Sequence, residues 1–173
     1  MDFQDIVQKR RSIRKFTEEP LTAEQVQLIL RAALMSPTSK STRAWHFYVV
    51  DDKEMLERLS QCKSAGADFV KDAPFAVVVC MDTEQTDVWV EDASIAAVTM
   101  QYQATDLGLG SCWAQVRLRG QQDGTPADNI LRDLLGYSSE QSCVCILAFG
   151  HPAMERKPQD EDKLKWENVH VMS

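Results

Sequence analysis

The sequence predicts an α/β or α+β fold, one sheet carrying helices on its faces. Two observations lead there. Residues 75–81 (FAVVVCM) and 143–150 (CVCILAFG) are unbroken apolar runs. They are short, and the first is rich in Val, which is the pattern of strands buried on both faces. Around them, segments with apolar residues at helical spacing alternate with further short strand-like runs. A chain that mixes the two element types in this way packs helices against a sheet.

In chain order, residues 2–10 form a short helix whose stripe is Phe3, Ile6 and Val7. Thr22 opens the next helix, because Thr22-Ala-Glu-Gln25 fits a capping box. Its apolar face is Val26, Ile29, Leu30, Ala33 and Leu34. Ser36-Pro37 ends it, since the residue before proline avoids the helical region. A polar loop runs to Trp45, WHFYVV reads as a strand, and DKEMLERLSQC reads as a helix. After the run at 75–81, residues 88–107 make a long helix with Val90, Ile95, Val98, Met100, Tyr102 and Ala104. Gly108-Leu-Gly110 stops it. SCWAQVR is a strand, GQQDGTP a loop, and 127–135 a helix ending at Gly136. From His151 the chain is polar and irregular.

The 173 residues are expected to form one domain, 1–173, large enough for a substantial core. The tail 151–173 carries Trp166 and is expected to pack on a second subunit. Hydrophobic residues make up 44% of the chain and charged residues 26%, as in soluble globular proteins. A formal net charge of −7 argues against nucleic acid as a partner. No run approaches the ~18 apolar residues of a membrane span, and the start, MDFQDIVQKR, lacks the apolar core of a signal peptide. Five cysteines without framework spacing do not read as a disulfide scaffold. Cytoplasm is therefore the expected location. Cys143 and Cys145 are expected on opposite faces of their strand, and His46, His151 and His170 are scattered, so no metal site is expected.

Against this acidic background, RRSIRKF at 10–16 places Arg10, Arg11, Arg14 and Lys15 around Ser12 and Ile13. One reading is a solvated turn. The other is an anion grip: Arg offers a planar fork of donors that matches phosphate oxygens, and Ser adds a hydroxyl. In an extended segment Arg10, Ser12 and Arg14 share one side, while Ile13 and Phe16 are left to anchor the segment in the core. No Walker loop exists, and GLG at 108–110 is too short for a dinucleotide fingerprint. Arg156-Lys157, in the tail, would complete a phosphate cradle if the tail folds back. The loop SPTSKSTRAW offers hydroxyls and Arg43 to a planar, polar-edged ligand, although Ser and Thr in such a loop also satisfy backbone groups.

Six motifs in order, R-x-S-x-R-x-F, L-T-x-E-Q, S-P-T-S-x-S-x-x-x-W-H-F, D-A-P-F-A-V-V-V-C, G-L-G-S-C-W and F-G-H-P, resemble the nitroreductase family of flavin enzymes, from about residue 3 to 166. The short length is similar to that family's compact branch. The resemblance implies an α+β fold with a central, mostly antiparallel sheet flanked by helices, and an intertwined homodimer binding FMN at its interface. It places Arg10 and Ser12 at the FMN phosphate with Arg156 and Lys157, Arg11 belonging to the same motif, and Arg14 near the ribityl chain and the flavin's N1–C2 edge. It brings Pro37, Thr38, Ser39, Ser41 and Arg43 to the flavin from the other subunit. It sets Gln115 and Val116 beside the isoalloxazine ring, a backbone N–H there facing N5.

The implied activity is FMN-dependent NAD(P)H oxidoreduction. NADH or NADPH passes hydride to the flavin, and a small-molecule acceptor, nitroaromatic or quinone, is then reduced in ping-pong fashion. The cofactor carries the chemistry, so no catalytic side chain is nominated, and Cys112 is read as a buried structural thiol. A flavin carrier or sensor on the same scaffold is the alternative, as is a phosphate-ligand domain using the 10–14 cluster alone. The chain departs from the family pattern at Ser41, Arg43 and Ala44, where relatives often have Asn, Gln and Pro. It departs again at Gly66 and Phe69, where some relatives set an Asn and a Lys against the flavin.

Overall fold

A computed structural model describes residues 1–172. Four strands form one antiparallel sheet in the order β1-β2-β4-β3. They are β1 (Trp45–Val50), β2 (Phe75–Asp82), β3 (Gly110–Gln115) and β4 (Gln141–Gly150), and five helices surround them: α1 (Phe3–Lys9), α2 (Ala23–Leu34), α3 (Lys53–Ser60), α4 (Trp89–Asp106) and α5 (Ala127–Leu135). The two apolar runs are the two central strands. With every neighbour antiparallel and the helices outside, the class is α+β, as the family resemblance implied.

Two core layers lie on the two faces of the sheet. Ala76, Val78, Ile146 and Ala148 face α3 and α5 through Leu56, Leu59 and Leu131. Phe75, Val77, Leu147 and Phe149 face α2 and α4 through Ile29, Ala33, Ala97 and Met100. This is why the central strands have no polar alternation: each residue has a helix to pack on, and each large buried side chain contributes roughly 1.5–3 kcal/mol. Cys143 and Cys145 do lie in different layers, but strand alternation is not the reason. Residues two apart share a face in a regular strand. The register between β2 and β4 shifts at Val79/Cys80, opposite Cys145 and Cys143, and this bulge re-aims the side chains.

Helix ends follow the local chemistry. In α2 the Thr22 hydroxyl accepts from Gln25 N–H at 3.2 Å and the Gln25 side chain accepts from Thr22 N–H at 2.8 Å. Thr22→Ala removes half of this reciprocal cap, and a loss of about 1 kcal/mol in unfolding free energy is expected in denaturant titration. The α5 helix stops at Gly136 with φ 74°, the left-handed cap that glycine adopts without strain. Two expected faces differ. Leu34 is 57% exposed rather than packed. In α4 the buried face is Ala93, Ala96, Ala97, Met100 and Ala104. A row of alanines lets this helix approach the sheet and α2 closely, and it turns Ile95, Val98 and Tyr102 outward.

After Pro152 the tail runs back along the N-terminal segment as far as Gln159, whose N–H donates to the Gln8 carbonyl. It makes two short 3-10 turns, Glu161–Lys163 and Trp166–Asn168, and leaves Trp166, Val169, Val171 and Met172 exposed.

Candidate cofactor site

RRSIRKF runs along the free edge of the sheet. Ser12 bridges to Ser111 in parallel fashion, and Ile13 N–H donates to the Ser111 carbonyl at 2.9 Å. Farther on, Thr17 N–H donates to the His151 carbonyl and Ala153 N–H to the Lys15 carbonyl, both at 2.9 Å. The segment is thus pinned at one end to β3 and at the other to the chain leaving β4. Ile13 is buried and Phe16 packs against the core, which is the anchoring expected of these two residues.

With its backbone held, the segment divides its cations by side. Arg10 and Ser12 open into a cavity of about 550 Å³ walled by Ile95, Gln101, Tyr102 and Trp113. The outward side chains of α4 thus form one wall. Gln101 and Ser111 fix the floor, Gln101 Nε2 donating to Ser111 Oγ at 3.3 Å. Arg14 lies over the Phe69 ring, 6.0 Å from its centroid. Among the described residues, neither Arg10 nor Arg14 has a carboxylate within ion-pair distance, in a chain with 26 acidic residues.

Arg11 goes the other way. Its guanidinium donates to the Lys157 carbonyl and, at 3.4 Å, to the Pro158 carbonyl. Gln159 N–H reaches the Gln8 carbonyl at 2.8 Å. The tail does fold back, and Arg11 is the residue that straps it down. Arg11 and Arg156 line a second cavity, of about 370 Å³, with Lys9. Its described lining shares no residue with the Arg10–Ser12 cavity.

Pro37, Thr38, Ser39, Ser41 and Arg43 lie elsewhere. Lys40, Ser41 and Arg43 have φ of 51°, 54° and 51°, a left-handed run without glycine that needs external support. The Thr38 hydroxyl supplies part of it by accepting from Arg43 N–H at 3.1 Å. Buried Asp92 supplies more: its Oδ1 accepts from Ser39 N–H at 3.0 Å. Asp92 sits nine residues before Gln101 on α4, about 14 Å along the helix axis. Ser39, Lys40 and Thr42 border a cavity with residues 83–87, and no Arg10–Arg14 residue lines it. One chain therefore does not bring this loop and the cation segment into one cavity.

Gln115 and Val116 end the edge strand. Val116 N–H donates to the Val144 carbonyl at 3.1 Å, as does Arg117 N–H. N–H groups alternate in direction along an antiparallel edge, so it is Gln115 whose N–H points away from β4. Its side chain is held too, accepting from Trp113 Nε1 at 2.8 Å and donating to the Arg117 carbonyl at 3.0 Å. Cys112 is buried and free. Burial pushes its thiol above the usual cysteine range, with Arg14, a hydrogen bond from Ser12 and Arg10 pulling the other way. That is an inert thiol rather than a nucleophile. Among the described residues no cluster of His, Cys, Asp and Glu is arranged to hold a metal, and no helix is long and apolar enough to cross a membrane.

Sequence reading missed Lys63. Its half-buried ammonium also feels Cys112, from a loop some fifty residues away. Nothing in CKSAG marks it, because only the fold brings that loop to β3.

The model of the nitroreductase family matches residues 7–67 and 59–151. The chain belongs to the nitroreductase family. Within it, the solved structure of an FMN-dependent nitroreductase from Clostridium difficile R20291 is 45% identical, with a TM-score of 0.96 over 99% of both chains. A protein of Methanothermobacter thermautotrophicus, provisionally named NADH dehydrogenase/NAD(P)H nitroreductase, is 33% identical over 99% of this chain and 87% of its own length. The FMN reductase [NAD(P)H] of Bacillus subtilis is 27% identical over 83% of this chain, which spans 63% of that relative. These matches give the nitroreductase fold to the whole architecture described above.

Proposed function

We propose that this nitroreductase-family chain is an FMN-dependent NAD(P)H oxidoreductase, working as an intertwined homodimer of single-domain subunits and reducing nitroaromatic or quinone-type acceptors. The observation that carries the reading is the unpaired Arg10 guanidinium beside the Ser12 hydroxyl, opening into one cavity of an acidic chain. A guanidinium left without a carboxylate at a walled cavity is a ready anion contact. The names of the C. difficile and B. subtilis relatives support FMN as that anion.

The donor set fits the cofactor. Arg10 and Ser12 would hold the phosphate, and Arg14, next along the segment, would meet the ribityl and ring end. Gln115 would offer its outward N–H to the ring, the role that the resemblance spread over Gln115 and Val116. Arg156 and Lys157 would join this cradle only by leaving the separate cavity that Arg156 lines with Arg11 in this structure. When bound, FMN supplies the two-electron chemistry, taking hydride from NADH or NADPH and passing electrons to the acceptor. The chain's own residues bind, orient and exclude water, and Trp113 and Tyr102 wall the cavity.

Two features support the two-copy arrangement. The loop at Pro37, Thr38, Ser39, Ser41 and Arg43 lies apart from the cations of its own chain, so it would meet the cofactor of a partner. The exposed Trp166, Val169 and Val171 of the tail would be covered by that partner.

The test is the visible spectrum of the purified protein after FMN addition and desalting, followed by NAD(P)H oxidation with a quinone or nitroaromatic present. Retained flavin with acceptor-dependent turnover is the expected result. Retained flavin without turnover would mean a carrier or sensor, and a folded protein that stays colourless would end the flavin reading.

A further inference from the structure

The cavity of Arg10 and Ser12 lies between β3 and α4, and both elements run on past it. On β3, residues two apart share a face. Trp113 walls the cavity. Its Nε1 donates to Gln115 Oε1 at 2.8 Å, and Gln115 Nε2 donates to the Arg117 carbonyl at 3.0 Å. Arg117 continues this face beyond the cavity, its guanidinium 5.4 Å from the centroid of the Trp89 ring. On α4 the facing wall runs from Gln101 and Tyr102 through Ile95 to Trp89, the first residue of the helix. Trp89 precedes Ile95 by about 9 Å along the axis. Arg10 and Ser12 thus stand at one end of these two elements and the Arg117–Trp89 pair at the other, with Gln115 between them.

Nothing neutralises Arg117. Among the described residues it makes no ion pair. An indole beneath a guanidinium orients it and leaves its edge N–H groups available. Just past it the chain turns, Arg119 N–H donating to the Val116 carbonyl at 3.0 Å, and Leu118 takes φ 59°. Gly or Asn ordinarily fills such a position. Leucine is strained there, and it is 77% exposed. Ala127 N–H donates to the Arg119 carbonyl at 2.9 Å and pins the far side of the turn. A strained, exposed apolar side chain beside an unpaired cation does nothing for the core, and strain of this kind gathers at functional sites.

We propose that Arg117, seated on Trp89 with Leu118 beside it, is a specificity-determining contact for substrates that join a flat ring to an acidic group. This rests on the FMN reading above. With the phosphate at Arg10 and the flavin ring at Gln115, a substrate ring on the flavin would send its acidic group to the Arg117 end. Leu118 gives that ring an apolar edge, and the guanidinium fork takes a carboxylate, sulfonate or phosphate. Either substrate of a ping-pong cycle can bring the acid: an acidic acceptor, or NAD(P)H through its pyrophosphate.

The test uses the FMN-loaded full-length chain and the variants Arg117→Met, Arg117→Lys and Leu118→Gly. Two substrate pairs separate the sources. The acceptors are para-nitrobenzoate and nitrobenzene; the hydride donors are NADH and N-benzyl-dihydronicotinamide, which has no phosphate. In Arg117→Met the ratio of kcat/KM for the acidic over the neutral member is expected to fall by about tenfold in at least one pair, and that pair names the source. Arg117→Lys keeps the charge without the fork and should recover part of the loss. Benzoate gives a readout free of turnover: its dissociation constant, followed by the spectrum of the bound flavin, should rise in Arg117→Met by a similar factor. Leu118→Gly should raise KM for both acceptors and leave their ratio as it was; an unchanged KM would take Leu118 out of the contact. Unchanged ratios in both pairs would overturn the proposal. Equal losses for acidic and neutral members would overturn it too, leaving Arg117 a structural prop of Trp89. A parent chain that binds no FMN fails the underlying reading, and this contact with it.

Discussion

Arg10→Glu is expected to abolish retention of FMN while the chain still folds. The Arg10 guanidinium has no ion-pair partner among the described residues, so its replacement leaves no buried carboxylate stranded. The backbone at this position is fixed independently, Arg10 N–H donating to the Ile6 carbonyl at 2.9 Å as the cap of α1. A charge-assisted hydrogen bond to phosphate contributes roughly 1.5–3 kcal/mol, and the new carboxylate adds repulsion. Affinity should fall by at least about a hundredfold, or about 2.8 kcal/mol. Equilibrium dialysis against FMN, with far-UV circular dichroism as the fold control, checks this. A variant that retains stoichiometric flavin would remove Arg10 from the phosphate. Arg11→Glu provides a contrast, because Arg11 spends its donors on the tail carbonyls.

Much of the scaffold was legible because its signals are local. The capping box at Thr22, the stop at Gly136 and the apolar runs of β2 and β4 depend on residues within a few positions of one another. Face assignments failed where packing distance decided. Ile95, Val98 and Tyr102 are as apolar as a core face demands, yet the alanine row of α4 wins the core because it permits closer approach to the sheet. The site was legible as a set of residue types but not as a geometry. R-x-S-x-R suggests an anion grip, the reading proposed above, and alternation along an extended segment separates Arg10 and Ser12 from Arg11. That Arg11 turns to the tail and that the loop at 37–43 lies near the other end of α4 are both products of tertiary contacts.

Gly110→Ala should damage both stability and flavin binding, for a reason that joins the fold to the site. Gly110 and Gly150 are partners across the β3–β4 pair. A Cβ on Gly110 would stand 2.7 Å from Ile13 Cγ2 and 2.8 Å from Ile13 Cβ; one on Gly150 would stand 2.7 Å from Pro74 Cδ and 2.9 Å from Phe16 Cδ1. The two apolar anchors of RRSIRKF thus rest on two facing glycines, and the absence of side chains there lets the segment lie flat on the sheet edge. Neither glycine has the positive φ that would demand glycine for backbone reasons, so the requirement is space. Overpacking of this kind costs about 1–3 kcal/mol. The strain is relieved most readily by lifting Ile13, which carries Arg10 and Ser12 away from the cavity. Loss of flavin affinity of about tenfold or more should accompany the loss in unfolding free energy. Ile13→Ala removes Cγ2 and also Cγ1, which would stand 3.1 Å away, and leaves only Cβ, so in the Gly110→Ala background it should cost less than in the parent, with a coupling of roughly 0.5–3 kcal/mol in a double-mutant cycle. Strictly additive effects would mean that Ile13 does not press on this glycine. Lost stability with unchanged flavin affinity would mean that the seat of the segment and the grip on the cofactor are separate.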